Sequence, residues 1–197
     1  MNAIQLLKDD HKKVRGLLAE LEATTPRGIK TRTELLAKIA REIEVHTAIE
    51  EEIFYPAFKA AGQKGDDDKM YFEALEEHRA AGDLVLPDLL ATDPGSECFS
   101  GRAKVFKELV EHHAGEEEKE MFPRARKLLS AAELAELGAR MAQRKQELLA
   151  DGGKPKSAAA RILTSVVDAI APDEAPEPPR LRKSANGTAG ERARTRA

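Results

Sequence analysis

With 197 residues, 41% hydrophobic and 34% charged, the chain has the size of one globular domain with room for an appendage. Its 32 Lys and Arg against 35 Asp and Glu leave a net charge of −3, too balanced for nucleic acid to be the main partner. A single cysteine, Cys98, excludes disulfide scaffolds and Cys-rich zinc modules, and no stretch reads as a membrane span or secretory leader, so a soluble cytoplasmic protein is expected.

Only 4% of residues are aromatic and none is Trp, and Ala, Leu, Glu, Lys and Arg dominate, which predicts an all-α fold. A first apolar stripe of helical period runs Ile4, Leu7, His11, Val14, Leu18, Leu21 and stops at the Thr24–Gly28 turn. The second runs Leu35/Leu36, Ile39, Ile43, His46, Glu50, Ile53/Phe54 and fades between Gly62 and Asp68. A third runs Tyr71, Leu75, His78, Ala81, Val85, Leu89, with Pro87 expected to kink or end it. The fourth runs Phe106, Val110, His113, Glu117, Met121, and Pro56 and Pro123 are expected to end or kink their helices. Four such helices with short connections make an up-down-up-down bundle over residues 1–128. Ser130-x-x-Glu133 is a capping box that opens an accessory helix within 129–151. Residues 152–197 read as a linker, a short amphipathic helix capped by Ser157, and a disordered basic tail.

Four of the five histidines obey an internal repeat. His11 to His46 and His78 to His113 are both 35 residues. A shift of 67 places His11 on His78, His46 on His113, Glu50 on Glu117 and Pro56 on Pro123. His112 and Glu116 also have His-x-x-x-Glu spacing, but their counterparts are Val45 and Ile49, which cannot bind a metal. Residues i and i+4 project from one helix face, so His46/Glu50 and His113/Glu117 each aim an imidazole and a carboxylate at one point. A buried lone carboxylate costs several kcal/mol, and two in register with four histidines call for a cation pair. Nitrogen and carboxylate oxygen without thiolate suit iron or manganese.

These stretches, LLKDDHKKV, HTAIEEEIFYP, LEEHRAAG and HAGEEEKEMFP, make the chain resemble the haemerythrin-like (HHE cation-binding) family. The resemblance implies a four-helix bundle around two non-haem iron ions, carboxylate- and oxo- or hydroxo-bridged. By motif match the ligands are His11, His46, Glu50, His78, His113 and Glu117. It also implies a small-molecule ligand such as oxygen, nitric oxide or peroxide, with roles in sensing, iron handling or stress defence and a possible catalase-like or ferroxidase activity. Classical oxygen carriers of the family use a further histidine on the third helix. Here Ala74 and Gly82 stand one turn either side of His78, and Gly82 is expected to leave room for water. Glu77, Glu51, Glu118 and Tyr71 are the candidates to fill that gap.

His112 reads as a surface or supporting residue, and the Glu51–Glu52 and Glu116–Glu120 runs as solvated faces from which some carboxylates can orient imidazoles. Cys98 has no neighbouring His or Cys in sequence and reads as inert. The tail's scattered arginines lack an aromatic reader, so nucleic acid is not expected as a partner; a monomer or weak dimer is. The competing reading is a metal-free helical interaction protein acting through its C-terminal helix and tail.

Overall fold

Asn2 accepts a hydrogen bond from the Gln5 amide at 2.9 Å and so starts α1 (Ala3–Glu22). The computed structural model describes residues 1–150; the expected linker, Ser157-capped helix and basic tail lie outside the described residues. α2 spans 29–61, α3 66–90 and α4 97–128, and α5 is Ala131–Ala150. The described residues are all-helical: a four-helix up-down bundle with α1 packed on α2 and α4, α3 packed on α4, and α5 laid across α1 and α2. None of these helices is long and apolar enough to cross a membrane.

The apolar stripes gather into two layers. One contains Ile4, Leu7, Phe54, Phe58, Phe122 and Met141; the other contains Leu18, Ile39, Leu89, Phe99 and Phe106. His11, His46, Glu50, His78, His113 and Glu117 are all buried as well. They sit along the same helices between the residues of these layers, so the polar belt has an apolar seal on both sides.

Pro56, Pro87 and Pro123 do not end their helices. Each stands just beyond a π-helical turn: Glu50–Phe54, Arg79–Val85 and Glu117–Met121. The residue before each proline donates its N–H five residues back, Tyr55 to Glu50, Leu86 to Ala81 and Phe122 to Glu117. The widened turn absorbs the proline's missing N–H and the clash of its ring with the carbonyl four residues earlier. It also inserts a residue, which rotates everything beyond it by about 100°.

α5 opens with reciprocal bonds: Ser130 N–H donates to Glu133 Oε2 at 2.8 Å, and Glu133 N–H donates to Ser130 Oγ at 3.3 Å. Leu134, Leu137 and Met141 bury its inner face, and Arg144 grips Glu52 at 2.6 Å. Gly138 lets α5 lie on the start of α1: a Cβ there would be 2.6 Å from the Ala3 nitrogen and the Asn2 carbonyl carbon. Both are backbone atoms that cannot swing aside. Gly138→Ala is expected to lose about 1–3 kcal/mol in a denaturant titration, the usual cost of overpacking. An unshifted midpoint would mean that α5 can slide without loss.

Asp67 ties the α2–α3 turn to α4. Its Oδ2 accepts from the Gln63 amide at 2.7 Å, and its two oxygens take Nε and Nη2 of Arg124 at 2.7 and 2.8 Å. The Arg124 bonds, with the Gln63 amide, hold its carboxyl down at about 2 against an ordinary 3.8. A folded value below the unfolded one means stability that is present above pH 3.8 and is lost as pH falls towards 2. Acid titration of stability should show this loss in the wild type, and a shallower one in Asp67→Asn.

Candidate metal centre

Each glutamate of the repeat joins a histidine of its own helix to one from another helix. Glu50 Oε2 is 3.2 Å from His46 Nε2 and 3.3 Å from His78 Nε2. Glu117 Oε2 is 3.1 Å from His11 Nε2 and 3.7 Å from His113 Nε2. The imidazoles pair as His11 with His46 and His78 with His113, with ring centroids 4.9 and 4.5 Å apart. His11, His46, Glu50 and Glu117 bring one donor atom each within 4.8 Å of one another, and Glu50, His78 and His113 do the same. All six residues marked by the repeat therefore meet, as two half-sites with both glutamates between them.

Behind each imidazole stands a carboxylate facing Nδ1. Glu118 is 2.9 Å from His11 Nδ1, Glu51 2.9 Å from His78 Nδ1, Glu77 2.8 Å from His113 Nδ1, and Asp10 3.7 Å from His46 Nδ1. An Nδ1–H donated outward leaves the Nε2 lone pair facing inward, the tautomer a metal needs. Asp10 was not among the expected residues, although the 67-residue shift carries it onto Glu77, and Glu51 onto Glu118. The repeat extends to these outer carboxylates, and applying it beyond the apolar stripes would have found all four.

Cations support two of them: Lys145 of α5 pairs with Asp10, and Arg15 reaches Glu118 at 2.7 Å. The 67-residue counterpart of Arg15 is Gly82, so the frame is symmetric in its carboxylates and unequal in their partners.

Tyr55 is the second residue that sequence reasoning missed. Its hydroxyl donates to Glu117 Oε1 at 2.9 Å and lies 3.2 Å from His78 Nε2 and 3.4 Å from His113 Nε2. Nine residues beyond His46, it would face away in an unbroken helix; the π turn rotates it inward. Tyr71 packs edge-on against the Tyr55 ring instead, with Lys59 Nζ 4.2 Å from its ring centroid. The counterpart of Tyr55 is Phe122, which stacks on His11 as Tyr55 stacks on His78, at 5.8 and 5.4 Å. One half-site thus has a phenol where the other has only a ring.

The electrostatics call for a cation. The described side chains have buried N and O atoms without a partner only at Asp10, His11, His46, Glu50 and Glu117, including both oxygens of Glu50. Burial, then the charge of Glu117, pushes Glu50 well above the ordinary carboxylate range. Burial acts on Glu117 too, but the imidazoles of His113, His11 and His46 outweigh it and hold that carboxyl at about 2. Burial pulls His46 down to about 4. Two carboxylates and four inward-facing Nε2 atoms fit a pair of divalent or trivalent ions, and no hydrogen bond satisfies His11 Nε2, His46 Nε2, the Glu50 oxygens or Glu117 Oε2.

A cavity of about 30 Å³, room for a water or a diatomic molecule, adjoins the four histidines. Val14, Ile43 and Val110 give it apolar walls, and Ala81 lines it where Gly82 was expected to leave space. Arg15, Thr47 and Glu77 give it polar ones.

The sequence matches the Hemerythrin HHE cation binding domain over residues 2–125. It is 33% identical over 149 residues to an uncharacterized protein of Mycobacterium tuberculosis, covering 75% of this chain and 88% of that one. It is also 29% identical over 132 residues to a DNA nickase of Nostoc, 35% of whose length is matched. The crystal structure of an HHE domain-containing protein from Mycobacterium kansasii superposes with a TM-score of 0.67 at 30% identity, covering 82% of this chain and 99% of that one. The chain belongs to the hemerythrin HHE cation-binding domain family.

Proposed function

We propose that this belt holds two non-haem iron ions, one at the Nε2 atoms of His11 and His46 and one at those of His78 and His113. Glu50 and Glu117, which stand between the two half-sites, would serve both. The observation that carries the reading is the set of partnerless buried atoms, above all the two oxygens of a fully buried Glu50. When bound, an iron pair supplies electrons and open coordination positions to a small oxidant of the oxygen, nitric oxide or peroxide class.

The chain's own groups do the rest. Glu118, Glu51 and Glu77 fix three of the rings by hydrogen bonds at Nδ1, Asp10 faces the Nδ1 of His46 at 3.7 Å, and the two apolar layers exclude bulk water. Tyr55 keeps a proton on its hydroxyl, since burial and then the charges of Glu117 and Glu50 push its ionisation far up. Arg15 and Thr47 put polar groups at the cavity wall, where a reversible oxygen carrier needs a dry apolar pocket. Ala74 and Gly82 leave the third helix without a further histidine. The reading therefore favours reaction with peroxide or nitric oxide over oxygen carriage. Peroxide decomposition and Fe(II) oxidation are its enzymatic forms, and sensing and iron handling its binding forms.

Protein purified from iron-supplemented cells should contain about two irons per chain, as di-metal bundles do. His113→Ala should lose most of that iron, and His112→Ala should keep it at equilibrium. Iron-free wild-type protein would leave the metal-free interaction reading standing. Reduced, iron-loaded protein mixed with oxygen and then degassed should not return to its reduced spectrum; full return over repeated cycles would restore the carrier reading.

A further inference from the structure

One cluster of ligand-type side chains lies outside the belt and meets it only through Glu77. His112 Nε2 is 3.3 Å from Glu77 Oε1 and 3.3 Å from Glu116 Oε1. The side chains are 62%, 21% and 41% exposed, and one donor atom from each falls within 4.8 Å of the others. His112 and Glu116 present an imidazole and a carboxylate from one face of α4, and Glu77 adds a second carboxylate from α3. One nitrogen and two carboxylate oxygens open to water form a set that divalent transition ions accept while keeping water ligands.

Two independent features mark this cluster as more than an ion pair. Glu77 belongs to both places: its Oε1 faces His112, while its Oε2 is 2.8 Å from Nδ1 of His113, and the same side chain lines the cavity beside the belt. The cluster also has no twin. A shift of 67 places His112 on Val45 and Glu116 on Ile49, so one half of a duplicated frame carries a ligand set that the other lacks.

We propose that His112, Glu116 and Glu77 form a third, solvent-facing site for a divalent cation, through which iron(II) is loaded into the buried centre. The proposal rests on the reading that the centre holds iron, but occupancy of the outer site is measured apart from it. A cation caught by His112 and Glu116 shares Glu77 with His113, so it is held one carboxylate away from the nearer half-site. His112 thus governs how fast iron arrives, not how much is held at the end.

The experiment uses the full chain. Protein already loaded with iron is titrated with cobalt(II), and wild type should take up one further, weaker equivalent. His112→Ala and Glu116→Gln should not, while matching wild type in iron content and thermal midpoint. Chelator-stripped protein is then mixed with iron(II), and uptake should be several-fold slower in both variants, with the same final iron content. Unchanged cobalt binding in the variants overturns the site, and uptake at the wild-type rate overturns the loading role. Wild type that holds no iron in the buried centre refutes the reading of that centre instead, a result that cobalt binding at the surface cannot mimic.

Discussion

Glu50→Gln is expected to stabilise the metal-free protein and destabilise the metal-loaded one. In the metal-free chain Glu50 is fully buried, neither of its oxygens accepts a hydrogen bond, and Glu117 adds a second carboxylate to the same belt. Its raised ionisation means stability that is present below pH 4.5 and is lost as pH rises above it, because charging the group inside the belt is unfavourable. A neutral amide removes that penalty, and a gain of about 1–3 kcal/mol at neutral pH is expected. The stability–pH profile should flatten above pH 4.5 as well. With metal the sign reverses. An amide is a poor substitute for a carboxylate shared by both half-sites, so the variant forfeits the stabilisation that ligand binding confers on the native state. That is about 3–4 kcal/mol at a hundred- to thousand-fold excess over Kd. Four denaturation curves, wild type and variant, chelated and iron-loaded, decide it. Equal destabilisation in both states would mean that Glu50 serves packing alone.

The metal-free bundle is expected to stay folded because the apolar layers are separate from the belt, and those layers are the part most legible in the sequence. The stripes of α1, and of α4 as far as His113, are buried residue for residue, because the helix is unbroken there and keeps its period. The register of 67 brings out the four histidines and two glutamates directly, since duplication copies positions whatever the local geometry. Legibility ends where the period breaks. Tyr55 is out of phase with His46 until a π turn inserts a residue, and Tyr71, in phase by heptad counting, packs against Tyr55 rather than reaching the belt. Proline at 56, 87 and 123 reads as an end or a kink, and the carbonyl it leaves unpaired is accommodated by widening the turn before it. The reach of α5 was out of range for a different reason. Lys145 meets Asp10 across 135 residues, and no local pattern announces such a pairing.

Exchanging Tyr55 and Phe122 is expected to exchange the roles of the two half-sites. In the wild type the phenol oxygen lies within 3.4 Å of both His78 and His113 Nε2, while Phe122 presents only its ring to His11. The supporting charges point the same way. Arg15 and Lys145 neutralise the carboxylates behind His11 and His46, whereas Glu51 and Glu77 behind His78 and His113 have no Arg or Lys paired with them among the described residues. The carboxylates behind the His78–His113 half therefore keep more of their negative charge, and that half should take the first cation. Competition with a calibrated chelator should resolve two binding steps in the wild type. Tyr55→Phe should weaken the tighter step by about 10–100-fold, the usual cost of losing a group that supports a metal site, and bring the two steps together. By the 67-residue correspondence, which pairs Phe122 with Tyr55 and Glu50 with Glu117, Phe122→Tyr should offer the Glu50 oxygens a donor and strengthen the weaker step instead. In the doubly exchanged protein the gap returns with its halves reversed: His78→Ala abolishes the tighter step in the wild-type background, and His11→Ala abolishes it in the exchanged one. If His78→Ala removes the tighter step in both backgrounds, the asymmetry belongs to Arg15, Lys145 and their carboxylates, and the phenol does not set it.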